Sequence, residues 1–527
     1  MRDNEFGRLR KIEERIYQII TEEMGLKCKP VEFDVIPPLK MMEIMAYRFP
    51  TQISNWKFGR DFERIRTIID NYDPSLPYEV VLNDTPARAY LMNSNTLAVQ
   101  SLVIAHVYGH VNFYTENRWF QKARSDVIAL LSEAAKRFNE YERVYGRDEI
   151  EKVVDAGHAL QWHASPLDGE TEDEKRERVF LQKKMLNKPD ISEFGDMIKV
   201  AKQGENIEAY NMKLWRELKE KSPVEPQPDL LRYIIDNSPK LDDWQKDILE
   251  TLRSEGQYFH PSMKTKYMNE GWATLIHERV MDQLFKEGLL SQEEHGQYNY
   301  SNSLVKAKNP FGMNPYLVGS EVWKEIFERW NKGRYGPEWD ECDNAEEREN
   351  WDTKAGKGEE KIREVRDNYS DWFFIQEYLT VDLINELELY LYLKERYPGI
   401  EIDIRTGHKD EEIRDIIISS FANSGVPLIE IVNGNFNNQK IMVMEHRWNG
   451  LILEPQNANN TMFHILYLWG NPVALKTKYG EFRNEVDVMI MVPRMPKELA
   501  KRLMDEYGIP PQLEKQRKPQ LRPLVRR

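Results

Sequence analysis

The chain has 527 residues, enough for two to four domains at roughly 100–200 residues each. Its 40% hydrophobic and 31% charged residues argue against disorder and against a membrane protein, and no run approaches the roughly 20 apolar residues that span a bilayer. The formal charge of −14 sets most of the surface against nucleic acid and anionic lipid, while Cys28 and Cys342 stand too far apart for a disulfide framework or a CxxC metal site.

The first twenty residues are charged and helical, without the apolar core and small-residue cleavage site of a secretory signal, so a cytoplasmic protein is expected. "FGRLRKIEERIYQIITEEMG" has helical spacing and ends at Gly25, a plausible cap. "NTLAVQSLVIAHVYGHVNFY" is apolar almost throughout before His106, which predicts a buried helix. "RSDVIALLSEAAKRFNEYERVYG" and "GRDEIEKVVDAGHALQWH" continue the helical pattern, and a charged connection follows at 165–190. "LLRYIIDNSPKLDDWQKDILETLRSEGQYF" reads as two helices broken at Ser238-Pro239. "KGRYGPEW" reads as a tight turn, and a second charged stretch covers 340–360. "YSDWFFIQEYLTVDLINELELYLYLKERYPG" predicts at least one long helix, stopping at Pro398-Gly399.

After residue 399 strands and helices alternate: "GIEIDIRTG", a helix in "HKDEEIRDIIISSFANSG", a hairpin from "PLIEIVNGNF" and "KIMVMEHRWNGLILE", a helix in "ANNTMFHILYLWG", then "PVALKT" and "EVDVMIMVP". The expected fold is therefore mainly α. A large helical domain over 1–399 carries the candidate metal-site helices, and a small α+β domain covers 400–493. A short helix and a basic, proline-rich tail over 494–527 complete the chain, the end of it expected to be disordered. The six basic residues of 510–527 fit a docking arm for an acidic partner or simply a solvated tail.

Two stretches carry the candidate chemistry. His106 and His110 in "HVYGH" are four apart on one helix face and could bind one ion through imidazole nitrogens; two core histidines bonded to backbone or carboxylate are the plain alternative. In "MNEGWATLIHERVM", Glu270 sits in an otherwise apolar helix, where a buried carboxylate needs a cation, hydrogen bonds or a proton. His277, two turns on, shares its face. Two histidines and a glutamate are the ligand set of thermolysin-type zinc sites, with a fourth position left for water. Asn269 beside Glu270, Arg253 and Glu255 in "LRSEGQYFHP", and Tyr258, His260 and Tyr267 are candidate cavity residues, with an ion pair and loop-packing aromatics as the alternatives. His163 in "DAGHALQWHASP" is a candidate partner of a metal ligand or a satisfied structural histidine. No Ser-His-Asp or Cys-His arrangement can be drawn, and GxSxG is absent.

"HVYGH" with "MNEGWAT" is similar to the gluzincin aminopeptidases, which place two zinc histidines in HExxH and a third ligand in a segment like NEGFA. That resemblance implies a divalent metal, zinc by analogy, on His106, His110 and Glu270. Val107 stands where those enzymes have their general-base glutamate, so His277 or Glu278 would have to serve. A broader resemblance rests on "LDDWQKDILETLRSEG", "RSEGQYFHPSMKTKYMNEGWATLIHE", "NPYLVGSEVWKEIFERWNKGRYG", "VRDNYSDWFFIQEYLTVDL" and "LYLWGNPVALKT". In order and spacing these blocks resemble the SpoVR family, the stage V sporulation protein R group. The family is associated with spore cortex formation, also occurs in organisms that make no spores, and often stands beside a serine kinase of the PrkA type. The resemblance implies a cytoplasmic protein of a sporulation or stress programme with such a kinase as partner. Three functions stay open: metal-dependent amide or peptide hydrolysis, a non-catalytic scaffold on a degenerate gluzincin-like core, and redox chemistry at a histidine–carboxylate metal.

Overall fold

The structure is a computed structural model that describes residues 3–47, 55–71, 79–121, 126–164, 223–308, 312–390, 392–397, 400–405, 409–480 and 485–509, with 123 and 179 singly. The charged connection at 165–190 falls outside these residues but for position 179, and so does the basic tail beyond 509. The fold is mainly α, with small sheets and a mixed one toward the C-terminus, as the sequence predicts. Two compact units form: Met1–Arg147 with Gln257–Gly425, and Asp148–Gly256 with the stretch from Val426 onward. No helix among the described residues is long and apolar enough to cross a membrane.

In the first unit the N-terminal helix Asp3–Gln18 buries Leu9, Ile12 and Ile16, and its π turn, Ile19–Glu23, precedes Gly25 at φ +63°. Next comes a sheet that helical reading of this region missed. β1 (Val31–Ile36), β2 (Glu79–Leu82) and β3 (Ala87–Met92) lie in the order β1-β3-β2, with β1 parallel and β2 antiparallel to β3. β3 leads into the helix Leu97–Glu116, called here the histidine helix, whose first turn is capped by the Thr96 hydroxyl accepting from Val99 N. This helix is buried on every side from Gln100 to Phe113, so its sequence shows no polar face.

The histidine helix packs against Lys266–Lys286, the glutamate helix, and that helix packs against Pro315–Asn331. Glycines set the spacing. A Cβ at Gly109 would come 2.7 Å from Ala273 Cα, and one at Gly271 would overlap the Gly319 backbone. The Asp371 carboxylate accepts from Tyr267 N and Met268 N, each at 2.9 Å, and so caps the glutamate helix from a distant segment. Trp272 Nε1 donates to Asn112 Oδ1 at 3.0 Å and fixes the rotation of the two central helices.

Two local expectations are corrected. The helix Asp243–Lys264 runs through Pro261, so no loop surrounds that proline. The single long helix after Tyr369 is instead Asp371–Tyr378, Val381–Glu386 and strand β4 (Tyr392–Tyr397), which pairs antiparallel with β5 (Ile400–Arg405). Thr380 restarts the helix by accepting from Leu383 N, and Glu388 at φ +56° ends it. Both strands and the helix Asp410–Phe421 stay with the first unit, so that unit extends past residue 399.

The second unit is built on a four-stranded sheet in the order β6-β7-β8-β9 (Ile429–Phe436, Ile441–His446, Val473–Tyr479, Val486–Val492). β6–β7 and β8–β9 are antiparallel, while β7 and β8 are parallel and are joined through the helix Pro455–Trp469. Phe436, Ile441, Val443, Ala474 and Leu503 form a core there.

Candidate metal centre

The first helix of the site carries both histidines, one turn apart. Their rings stand 4.6 Å apart at 89°, so their edges converge instead of stacking. The glutamate helix brings Glu270 to meet them: its Oε2 lies 3.5 Å from His106 Nε2 and 3.4 Å from His110 Nε2. Glu79, at the start of β2, adds a second carboxylate with Oε1 3.7 Å from His106 Nε2. The candidate ligand atoms of Glu79, His106 and His110 lie within 4.8 Å of one another, a group that could hold a metal ion.

The atoms at the centre of this cluster are unspent. His106 Nε2 and Glu270 Oε2 are buried without a hydrogen-bond partner. Burial of polar atoms without partners costs about 1–3 kcal/mol each, so such a pair marks a place where a further group belongs. Electrostatics agree. Burial pushes Glu79 up to about 8. Burial opposes charge on Glu270 as well, yet the His110 ring foremost outweighs it and holds that carboxylate well below its ordinary range. Burial, with His110 nearby, pushes His106 down to about 4. At His110 burial is opposed by the Glu270 carboxylate, and the net direction is up. The Glu270 charge thus favours a proton on His110, and burial favours one on Glu79. A divalent cation could replace these protons.

His277 lies on the other edge of the His106 ring, Nδ1 to Nδ1 at 2.9 Å, and its Nε2 faces Asn302 Oδ1 at 3.0 Å. Burial, then the His106 ring, pushes it down to about 3. Glu278 does not open onto the four converging groups. It is held by Lys306 Nζ at 3.0 Å, Lys324 Nζ at 3.3 Å and Asn302 Nδ2 at 3.1 Å, and although burial opposes it these lysines bring it down to about 2. Asn269 interacts with both His110 and Tyr114. Tyr267 gives its hydroxyl to Met313 O at 3.1 Å, and the Tyr258 hydroxyl accepts from Asn83 N at 2.8 Å, so both serve as anchors for neighbouring backbone. His260 is pushed down to about 4 by burial. Arg253, Glu255 and His163 belong to the second unit, where Arg253 pairs with Asp229 at 2.9 Å and burial beside His446 pushes His163 down to about 4.

Three members of the site escaped sequence reading. Glu79 is one acid in "YEVVLND", whose β-branched pair Val80-Val81 before the turn residues Asn83 and Asp84 is the strand signature that would have exposed it. Tyr114 extends the His106–His110 stripe by four residues and stacks on His110 at 6.1 Å and 13°. Tyr316, on the Pro315–Asn331 helix, lies 5.8 Å from the His106 ring, and the Glu270 charge raises its hydroxyl well above the ordinary value. No local pattern marks Tyr316. Val107, at the place of the gluzincin base, is fully buried among apolar side chains.

The family model described as "SpoVR like protein" matches residues 3–426, and that of the SpoVR-like C-terminal domain matches residues 427–480. The junction of the two falls within one residue of Gly425, where the chain passes for the last time among the described residues from the first compact unit to the second. A protein of Escherichia coli (strain K12), described as uncharacterized protein YcgB, is 26% identical over 497 residues, covering 89% of this chain and 91% of its own. No solved structure matches. With nearly its whole length under these two models, the chain belongs to the SpoVR family.

Proposed function

We propose that this protein is a metal-dependent hydrolase of amide bonds, in a peptide or a cell-wall precursor, with a divalent metal held by His106, His110 and Glu270. The observation that carries the reading is the convergence of two imidazoles and two carboxylates on one buried point, with the facing atoms of His106 and Glu270 unspent. The donor set of two nitrogens and one carboxylate oxygen suits zinc. When bound, zinc supplies carbonyl polarisation and a more acidic water.

The chain's own residues divide the remaining work. Glu79, with Oε1 3.7 Å from His106 Nε2, stands beside the centre and takes the base role that Val107 leaves empty. The Tyr316 hydroxyl interacts with Glu270 and keeps its proton, so it can orient that carboxylate and donate a hydrogen bond to a substrate oxygen. Glu278, already tied to two lysines, supports the site from behind.

The experiment is metal analysis of purified protein together with hydrolysis of a peptide library. About one zinc ion per chain and turnover abolished by Glu79→Gln, with zinc retained, support the reading. Metal-free protein, or unchanged turnover in Glu79→Gln, refutes it. The buried Val107 favours a second reading, a scaffold that binds metal or peptide without turnover. Zinc bound without hydrolysis, and capture of a PrkA-type kinase by the full chain, would select that reading. Iron in place of zinc would point to redox chemistry. Family membership supports a place in a sporulation or stress programme in the cytoplasm.

A further inference from the structure

His106 and His277 meet nitrogen to nitrogen, and two neutral imidazole nitrogens 2.9 Å apart share a single hydrogen: one donates and the other accepts. The direction of that bond is decided further along the chain of contacts. Glu278 lies between Lys306 Nζ and Lys324 Nζ, and an ionised carboxylate only accepts. Asn302 must therefore point its Nδ2 hydrogens at Glu278 Oε1, 3.1 Å away. The opposite turn of the amide would set two oxygens against each other. With Nδ2 committed, Asn302 Oδ1 faces His277 Nε2 at 3.0 Å, and an amide oxygen also only accepts. The hydrogen of His277 is thus on Nε2. His277 is 1% exposed and faces only Asn302 Oδ1 and His106 Nδ1 at its two nitrogens, an environment for the neutral ring, so its Nδ1 is bare. His106 must then donate from Nδ1, which leaves its Nε2 without hydrogen. That is the buried atom facing Glu270 and Glu79 with no hydrogen-bond partner.

We infer that Glu278, Asn302 and His277 form a tautomer lock that holds the His106 Nε2 lone pair on the metal centre. Asn302 is the positioning residue, since it converts a fixed negative charge into a fixed hydrogen-bond direction. The lock takes its purpose from the metal reading above, but the proton positions follow from the contacts alone. Partners of this kind, one step behind a ligand, typically change metal affinity 10–100-fold.

The test is nitrogen NMR of the full-length, metal-free protein labelled at histidine, with signals assigned from His106→Gln and His277→Gln spectra. The wild-type chain should show the unprotonated pattern at His106 Nε2 and His277 Nδ1. A hydrogen on His106 Nε2, or equal populations of both tautomers, overturns the lock. In Asn302→Leu the His106 ring should populate both tautomers, and zinc affinity measured against a chelator should fall at least about tenfold. An unchanged spectrum and unchanged affinity in that variant overturn the lock as well. If Asn302→Leu does not fold, the wild-type spectrum alone decides. A wild-type chain with the expected spectrum that binds no zinc would refute the metal site and leave the lock standing.

Discussion

Each compact unit brings a pair of histidines together, and the pairs are put to different uses. In the first unit His106 and His110 converge on Glu270 and Glu79, and the facing atoms of His106 and Glu270 have no hydrogen-bond partner. In the second unit His163 and His446 lie close enough to disfavour charge on His163, and His446 Nδ1 bonds the Thr477 hydroxyl at 2.9 Å. His106, His110 and His446 are buried and His163 half-buried, and both pairs lose basicity through burial at one ring or more. Burial and a depressed pKa therefore do not single out a site. Carboxylate charge brought to the same point, with lone pairs left over, does.

The largest effect expected from this difference is on metal content. His106→Ala with His110→Ala should abolish zinc binding, weakening it by about a thousandfold or more, since two of three ligands go. His163→Ala with His446→Ala should leave zinc stoichiometry at the wild-type level and cost only about 1–3 kcal/mol of stability through a lost buried bond and small cavities. Elemental analysis and urea unfolding of both double variants separate the cases. Equal zinc loss in the two would dissolve the distinction between them.

A middle-sized effect lies in the pH dependence of zinc affinity. In the metal-free cluster the His110 value is raised above the ordinary 6.5, because Glu270 outweighs the opposing burial, whereas His106 is pushed down to about 4. Between pH 5 and 6.5, His110 is thus protonated and His106 is not. Zinc must displace the His110 proton, so affinity should rise about tenfold per pH unit across that window. Glu270→Gln should flatten this slope by removing the group that raises His110. A flat profile in the wild-type chain would mean that His110 is not a ligand.

Legibility of the site followed the range of the interactions that build it. His106, His110 and Glu270 were visible because a four-residue spacing and a carboxylate in an apolar helix are local signals. Whether the helices met was not visible, since that depends on Gly109 against Ala273 and Gly271 against Gly319, contacts between remote segments. Glu79 was lost with its strand, because "VEFDVI" and "YEVVL" are short and sit among long helical patterns. The strand "YLKERY" was hidden likewise, since its three consecutive charged residues do not alternate and it runs on directly from a helical stretch. The terminal sheet could be read well because turn residues such as "GNFNNQK" separate its strands and Gly470 ends its helix.

The smallest effect concerns Glu278, which sequence reading offered as a proton carrier and the structure surrounds with Lys306, Lys324 and Asn302. Burial works against its charge, but the lysines hold it at about 2, below the ordinary 4.5. An acid whose folded value is depressed binds its proton more readily in the unfolded chain. Its contribution to stability is therefore complete above pH 4.5 and is lost as pH falls toward 2. Removing that contribution should cost about 1–2 kcal/mol after allowance for solvent screening at a partly exposed site. Urea unfolding of the wild-type chain and Glu278→Gln at several pH values measures it directly: the two curves should differ most at pH 6 and approach each other at low pH. A gap that stays constant down to pH 2.5 would show that Glu278 acts through shape and hydrogen bonding, not through its charge. The anchored anion on which the Asn302 orientation depends would then lose its support.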